Sequence, residues 1–576
     1  MVGVIQGSGV RGIFQCVGML IGLGLLAVAQ PQAAQAADPL RDFQAAAILA
    51  GKSEVAHWGV DPSNYVLWGT HSNRLIPVYT FGTLGAGPGI DLTSYTGENS
   101  PYRQEGKLRR IYGYLPTHSV SPTADYLDQT NIYDMQLAGA AAGKKYIFLV
   151  VFDGMDWNTT QAAAIYNTKS VAYREGRGRG THFQEYTAGG TTQFGFMVTS
   201  PHNEGTEVDV DTQSVKNVGG TILGGYDSTR GGPNPWTPAP DLPYLISLPK
   251  DAPVRHAYTD SSSSAVSMTA GIKTYNNGVN RDAAGNKVPT IAHRLQQEGY
   301  AVGVVTSVPI SHATPAAAYS HNVDRDDYQD LSRDLLGLPS ISHPEKPLLG
   351  MDVVIGAGAG VSLKIDKGQG KNFVPGNRYL TRIMEQAIDV SHGGPYIVAK
   401  RTHGVVGSER LQQAAEEAAA RGQRLFGFYG AGDGHENFSG NLPLQTADGD
   451  FKPAPGRSKE STVYTPEDLK ENPTLAQMTT AALTVLAKKN EKGFWLMMEA
   501  GDVDWANHDN NLDTSIGAVN SGDAAVRVIT DWVEKNSNWR DSLLIVTADH
   551  GHYLVLEKPE ILAATAATAV AEKDGK

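Results

Sequence analysis

Acidic and imidazole side chains stand directly after three apolar segments that have the length of buried β-strands. The segments are residues 145–152, 494–498 and 543–547. The acidic and histidine residues that follow these segments in the sequence are Asp153, Glu499, Asp504, His508, Asp549 and His550. Strands of one parallel sheet end at a shared edge, where ligands bind in open α/β folds. We therefore expect these side chains to converge, although helix N-capping is the alternative for Asp153.

The donor types in this set are those that bind divalent cations. Asp504 and His508 are four residues apart, one helical turn, so both can face one ion. Carboxylates with neutral imidazoles suit Zn²⁺, whereas an all-oxygen set suits Mg²⁺. The only cysteine, Cys16, lies in an apolar N-terminal segment, so we expect neither a disulfide nor thiolate chemistry in the mature protein.

Four consecutive serines, residues 261–264, stand at a predicted strand-to-helix turn. Residues 253–258 are predicted to form a short strand, and the small apolar residues after Ser264 suit the start of a buried helix. Unpaired N–H groups at a helix start attract anions, and a serine hydroxyl there is exposed. One of these serines is a candidate nucleophile, and the alternative is an N-capping cluster.

Strand-length apolar runs alternate with helical patterns through most of the chain, which indicates an α/β fold. Further strands are predicted at 301–306, 351–355 and 425–429, and helices at 288–299, 408–421, 474–489 and from about 509 to 534. Glycine- and proline-rich stretches at 187–250 and 430–470 indicate loop-rich insertions, the first at a sheet edge. The Ala-rich tail, 558–576, is predicted to be helical or frayed.

The N-terminus has the pattern of a secretory signal. Arg11 precedes the apolar segment 13–29, and Ala34-Gln35-Ala36 has the small-x-small form of a cleavage site. We expect residues 1–36 to be removed, leaving a periplasmic or secreted protein without stable membrane insertion; an anchoring helix is the alternative. The net charge of −12 and the absence of a basic stripe exclude nucleic acid as a specific partner.

Four motifs, taken together, resemble those of the alkaline phosphatase family. They are residues 259–261 with 271–274, residues 312–317, residues 499–508 and residues 547–552. Their order and internal spacing agree with the family, and the resemblance covers most of residues 144–557. It implies a three-layer α/β/α sandwich with a largely parallel central sheet, and a phosphomonoesterase that uses two Zn²⁺ ions and one Mg²⁺ ion.

The resemblance also implies a role for each matching residue. Ser261 matches the nucleophile that becomes phosphorylated, and Arg325 the arginine that clamps phosphate. Asp153 matches the carboxylate shared by one zinc and the magnesium. The implied partners are Asp549 and His550 for that zinc, Thr314 and Glu499 for the magnesium, and Asp504 and His508 for the second zinc. Asp260, His312, Trp505 and His552 match positions in the pocket or behind the ligands; His312 leaves the preference of the third metal site open.

One departure concerns the third ligand of the second zinc. The family takes it from a histidine well beyond position 552, in a Thr-His segment before a strand, and this chain has no histidine there. Thr70-His71, followed by the β-prone run 75–82, resembles that segment moved to the front. We therefore predict that His71 completes the site and that the chain is circularly permuted. Segment 37–143 would then carry the permuted strand, around 64–82, and a Gly/Pro-rich linker at 85–122; the alternative is a C-terminally incomplete protein.

These residues predict an exported, metal-dependent hydrolase of small-molecule phosphate monoesters. A sulfatase is disfavoured because its Cys-x-Pro-x-Arg type of motif is absent. A phosphodiesterase of the same superfamily is the nearer alternative, and Arg325 argues for a terminal, dianionic phosphate. A non-catalytic metal- or phosphate-binding relative is the alternative from another class. The resemblance suggests a homodimer.

Overall fold

A ten-stranded sheet forms the centre of the chain over the residues that the structure, a computed structural model, describes. These are residues 38–59, 63, 71–246, 256–431, 440–457, 459–489 and 491–573. The predicted signal peptide, Thr70 and the first residues of the predicted strand 253–258 lie outside them.

The strands alternate with helices along the chain, as the sequence predicts. The strands are β1 (Ala56–Trp58), β2 (Ile76–Phe81), β3 (Leu127–Asp128), β4 (Tyr146–Phe152), β5 (Gln193–Val198), β6 (Asn203–Glu204), β7 (Val208–Asp209), β8 (Ser214–Val215), β9 (Ile222–Leu223), β10 (Ala301–Pro309), β11 (Val353–Ala357), β12 (Ser362–Leu363), β13 (Gly376–Asn377), β14 (Tyr396–Lys400), β15 (Arg424–Phe428), β16 (Phe494–Ala500), β17 (Ser542–Ala548) and β18 (Leu554–Leu556).

The central sheet has the order β14-β15-β11-β10-β16-β4-β17-β2-β5-β3. The strands from β14 to β17 in this order are parallel to their neighbours. Strand β2 is antiparallel to β17 and to β5, which places it inside the sheet and not at its edge. The remaining strands pair two by two outside this sheet.

The helices are α1 (Pro39–Ala50), α2 (Glu105–Tyr112), α3 (Thr130–Ala141), α4 (Trp157–Thr168), α5 (His182–Glu185), α6 (Ser228–Gly231), α7 (Leu242–Leu245), α8 (Ser261–Ala270), α9 (Ile291–Gln297), α10 (Ala313–Ala317), α11 (Tyr328–Leu336), α12 (Arg382–Ile388), α13 (Gly407–Arg421), α14 (Pro466–Glu471), α15 (Leu475–Lys489), α16 (Asp502–His508), α17 (Leu512–Asn536) and α18 (Pro559–Lys573). Helices α13, α15 and α17 pack side by side as one layer, and α3, α8, α9 and α10 pack together as another. Strand β10 contacts both α15 and α9. The predicted α/β/α architecture with a mostly parallel sheet is confirmed.

The central strands are apolar along their whole length because both of their faces are covered. In β4 every residue after Tyr146 is buried, and β10, β16 and β17 are buried throughout. Among the described residues, no helix combines the length and the apolar character needed to cross a membrane.

Four details differ from the sequence prediction. Residues 256–258, the described part of the predicted strand 253–258, do not form a strand. The predicted insertion at 187–250 contains β5, a strand of the main sheet. The predicted linker at 85–122 contains helix α2 and short 3₁₀ turns. The helix predicted to reach about residue 534 is preceded by a separate short helix, α16, because Asn511 leaves the helical conformation and its side chain caps α17 at Thr514 N.

Candidate active site

The carboxyl ends of β16, β4 and β17 lie side by side and bring their following residues together, as predicted. The backbones pair in register, with Ala500 and Ala548 both opposite Phe152. One ligand atom from each of Asp153, Asp549 and His550 lies within 4.8 Å of the others. The Oδ1 atom of Asp153 is 3.2 Å from His550 Nε2. The sheet register therefore builds this cluster from segments almost 400 residues apart.

A second cluster surrounds the carboxylate of Asp504 on helix α16. Its Oδ1 atom is 3.5 Å from His508 Nε2, 3.6 Å from His71 Nε2 and 2.7 Å from His552 Nε2. The Nε2 atoms of His71 and His508 are 3.0 Å apart. Burial acts to raise the pKa of Asp504, but the surrounding histidines hold it well below its usual range. The carboxylate is therefore ionised and has imidazole nitrogens around it.

His71 reaches this cluster through strand β2. Immediately before that strand, Ser72 N donates to Gly551 O at 2.7 Å, which ties the segment to the end of β17. The His71 Nδ1–H donates to the carbonyl oxygen of Thr259 at 3.0 Å, so the lone pair on Nε2 faces Asp504. Burial, and then the neighbouring imidazoles, lower the pKa of His71 well below its usual value. The ring is neutral and oriented as a metal ligand requires.

The serine stretch forms the first turn of the buried helix α8, as predicted. Asp260 caps this helix by accepting from Ser263 N at 2.9 Å. The Ser261 hydroxyl lies 3.2 Å from His550 Nε2. The other hydroxyls have acceptors elsewhere: Ser262 at Asp260 Oδ2 (2.7 Å), Ser263 at Asn276 Oδ1 (2.8 Å) and Ser264 at Asp549 Oδ2 (3.1 Å). The cap of the helix is therefore Asp260 and not one of the serines, and the Ser261 hydroxyl faces His550.

Arg325 extends towards the same helix start from the segment between α10 and α11. Its Nη1 donates to Asp260 Oδ2 at 3.1 Å, and its Nη2 lies 3.3 Å from His312 Nε2. Burial opposes ionisation of Asp260, but Arg325 and hydrogen bonds from the helix lower the pKa of this carboxyl group. Asp260 thus holds the guanidinium beside Ser261. Trp505 packs against the His312 ring, with the two ring centroids 5.6 Å apart.

Next to Asp153 lie the side-chain oxygens of Thr314 and Glu499, which are predicted from the sequence to bind Mg²⁺. Thr314 Oγ1 donates to Asp153 Oδ2 at 3.4 Å, and Thr306 Oγ1 donates to Glu499 Oε2. Burial and the neighbouring charges of Asp549 and Asp504 raise the pKa of Glu499 to about 8. Among the described residues, neither Asp153 Oδ1 nor Glu499 Oε1 accepts a hydrogen bond, although both atoms are buried. Unpaired buried carboxylate oxygens are costly unless a cation or proton is present, so these residues fit a cation site.

The cluster around Asp504 opens into a cavity of about 420 Å³. Residues that line it and were predicted from the sequence are His71, Ser261, His312, Arg325, Asp504, Trp505 and His508. Arg457 and Asp509 also line it and were not predicted. The Arg457 backbone N–H donates to the carbonyl and the side chain of Asp509, at 2.8 and 2.9 Å. An arginine in a loop-rich insertion carries no pattern that would have revealed this position.

Comparisons with known proteins point to one family. The alkaline phosphatase 4 of Bacillus subtilis is 27% identical over 292 residues, which are 51% of this chain and 49% of the relative. The alkaline phosphatase of Escherichia coli K12 is 28% identical over 330 residues, 55% of this chain and 63% of the relative. This chain thus spans 49% and 63% of the length of these two relatives.

Solved structures of the same kind of protein also match. The crystal structure of Thermus thermophilus alkaline phosphatase is 21% identical, with a TM-score of 0.40, and the match covers 71% of this chain and 60% of that one. The alkaline phosphatase family model matches residues 230–574, more than half of this sequence. The chain therefore belongs to the alkaline phosphatase family.

Proposed function

We propose that this protein is a metal-dependent phosphate monoester hydrolase with Ser261 as its nucleophile. One observation carries the proposal: the Ser261 hydroxyl, 3.2 Å from His550, lies in the same cavity as Arg325 and the Asp504–His508 pair. A nucleophile, an anion clamp and a set of cation ligands are the parts that phosphoryl transfer needs.

The donor sets fit two zinc ions and one magnesium ion. Asp153, Asp549 and His550 would hold one zinc, and His71, Asp504 and His508 the other. Asp153, Thr314 and Glu499 supply only oxygen atoms, which suits Mg²⁺. When bound, such ions make a serine hydroxyl and a water more acidic and stabilise charge on the attacking and leaving oxygens.

The protein residues then have distinct tasks. Ser261 Oγ attacks the phosphorus atom and displaces the alcohol, giving a phosphoserine that water hydrolyses to inorganic phosphate. Arg325 presents its planar fork to two phosphoryl oxygens, and Asp260 fixes its direction. The positive end of the α8 dipole adds favourable electrostatics for the anion.

His552 acts on a ligand and not on the substrate. Its Nε2 lies 2.7 Å from Asp504 Oδ1, and its ring is buried. A donor at this position fixes the orientation of the carboxylate. His312 and Trp505 line the cavity beside Arg325 and shape the space around the phosphate.

Hydrolysis of three chromogenic substrates tests the proposal. A phosphate monoester, a phosphate diester and a sulfate ester are compared, each with and without a chelator, and Ser261→Ala is the control for contaminating enzymes. We expect the monoester to be hydrolysed fastest, with loss of activity in the chelator and in the variant. Preferred diester hydrolysis would instead support a phosphodiesterase, and absence of turnover in the metal-loaded protein would support a non-catalytic relative.

Export is the remaining part of the proposal. It is supported by the signal pattern at 1–36, which includes Arg11, an apolar segment and a small-x-small site. N-terminal sequencing of the protein recovered outside the cytoplasm tests it. A mature N-terminus close to residue 37 is expected, whereas an intact N-terminus in the membrane fraction would indicate an anchor.

A further inference from the structure

A separate cluster of histidine and carboxylate side chains lies outside the cavity described above. His321 follows helix α10, Asp334 is on helix α11, and His343 is in the loop after it. One ligand atom from each lies within 4.8 Å of the others, and none of the three lines the active-site cavity. We propose that these residues form an additional divalent-cation site, with Zn²⁺ as the best-matched ion.

The distances between the donor atoms suit a zinc site with small adjustments. His321 Nδ1 lies 3.1 Å from His343 Nε2, and that atom is 3.9 Å from Asp334 Oδ2. Ligand atoms on a tetrahedral zinc, with bonds near 2 Å, are about 3.3 Å apart. The two imidazole nitrogens are therefore already close to ligand spacing, and Asp334 Oδ2 would move towards His343 Nε2 by about 0.6 Å to bind the same ion. Two imidazoles and one carboxylate are a common zinc ligand set, which leaves a fourth position for water.

The tautomer of His321 leaves a lone pair directed into the cluster. Its Nε2 lies 2.9 Å from the carbonyl oxygen of Val288, which can only accept, so Nε2 carries the proton. The Nδ1 atom is therefore an acceptor, and it faces His343. A ring N–H donated to a backbone carbonyl is the support that metal-binding histidines usually have.

Asp334 is fixed by similar support. Its Oδ2 accepts from the His321 backbone N–H at 2.9 Å, and its Oδ1 accepts from the Ser340 hydroxyl at 2.6 Å. The Asp334 side chain is buried, whereas His343 keeps 13% of its side chain exposed. The cluster is thus preformed on its buried side and accessible from solvent through His343.

Two positively charged side chains next to the cluster affect its expected affinity for zinc. Arg281 Nη2 donates to the Ser342 hydroxyl at 2.7 Å, and Lys287 Nζ donates to the Ser342 carbonyl oxygen at 2.6 Å. Their charge favours neutral imidazole rings, the form that binds metals. It also opposes a further cation, so this site should bind zinc more weakly than the carboxylate-rich active site and should lose it first in a chelator.

Zinc content and crystallography test the proposal together. His343→Ala removes a ligand at the surface, and His403→Ala, with 91% of its side chain exposed and no place in either site, is the matched control. We expect His343→Ala to contain about one zinc ion fewer per chain than wild type or the control after dialysis against zinc buffer. Monoester hydrolysis should change by less than about twofold, because active-site ligands are untouched.

A zinc-edge anomalous map of zinc-soaked wild-type crystals provides the decisive readout. A peak at bonding distance from His321 Nδ1, Asp334 Oδ2 and His343 Nε2 is the expected result. Without a metal, His343 Nε2–H would simply donate a hydrogen bond to His321 Nδ1. No peak at this position, or equal zinc content in wild type and a folded His343→Ala protein, would overturn the proposal.

Discussion

The four serines at the start of α8 have different surroundings, and these determine which one can act as a nucleophile. The hydroxyls of Ser262, Ser263 and Ser264 bind acceptors within the protein, whereas Ser261 lines the cavity and contacts His550. Ser264 is close to Asp549, so its substitution would also disturb a proposed ligand. Ser267, whose hydroxyl bonds to the Ser263 carbonyl one turn earlier in the helix, is a cleaner control.

For this reason Ser261→Ala should abolish catalysis while leaving the fold intact. We expect turnover of a phosphate monoester to fall by about 10³-fold or more, as for other catalytic nucleophiles. Ser267→Ala should stay within a few-fold of wild type. Steady-state kinetics and acid trapping of radioactive phosphate on the protein measure both effects. Similar losses in the two variants would contradict the assignment.

Arg325 should contribute mainly to phosphate binding. Its removal deletes two charge-assisted contacts, so Arg325→Ala should weaken inhibition by inorganic phosphate by about 1.5–3 kcal/mol, or roughly 10- to 150-fold. Arg325→Lys keeps the charge but loses the planar fork and should recover only part of this loss. The measurement is the phosphate inhibition constant in each variant. An unchanged constant in Arg325→Ala would exclude this role.

At the scale of elements, the apolar pattern predicted strands and helices well where an element is buried on both sides, because its apolar residues then follow one another without interruption. Strand β4 and helix α15, with its Thr474–Gln477 capping box, appear as predicted. Strand β5 was missed because its six residues lie within a Gly- and Thr-rich stretch. Arg457 was missed because its backbone contacts Asp509 across a long sequence separation, which a local pattern does not reveal.

Strand β2 has the pairing that the His71 prediction required. It lies next to β17 and so delivers His71 to the end of that strand. His71→Ala should lower zinc content by about one ion per chain and reduce turnover, while Ser261 can still be partly phosphorylated. His403→Ala, at an exposed position, is the control. Metal analysis with phosphoserine trapping tests this, and full zinc content in the variant would mean that His71 is not a ligand.

At the scale of the whole molecule, the proposed site joins residues from position 71 to position 552. Local patterns indicate which segments end in chemically useful side chains, but they do not contain the order of strands in the sheet. That order decides that β16, β4, β17 and β2 are neighbours. The resemblance to a family indicated which residues within 144–557 share a site, whereas the place of His71 rested on a short Thr-His segment. The circular permutation therefore remains our proposal.

The order of strands in the sheet brings several buried carboxylates close together. The stability of the metal-free protein should therefore depend on pH. Burial raises the pKa values of Glu499 and Asp502 to about 8, and the neighbouring carboxylates add to the shift for Glu499. The folded state binds these protons more tightly than the unfolded state does. The two carboxyl groups therefore contribute fully to the free energy of unfolding below about pH 4, and this contribution is lost as pH rises through 8. Each group can change the free energy of unfolding by a few kcal/mol.

We therefore expect the chelated protein to unfold at a markedly lower temperature at pH 9 than at pH 6. Zinc and magnesium should remove much of this difference, because bound cations compensate the ionised carboxylates near Glu499.

Asp502→Asn is the diagnostic variant, because Asp502 is not a proposed ligand. Its Oδ1 accepts from Asn441 Nδ2 at 3.1 Å, and an amide oxygen can keep that bond. In chelator, this variant should lose less stability between pH 6 and 9 than wild type does. Thermal unfolding followed by circular dichroism gives the comparison, and a melting temperature of the chelated wild type that rises with pH over this range would show the opposite sign of linkage.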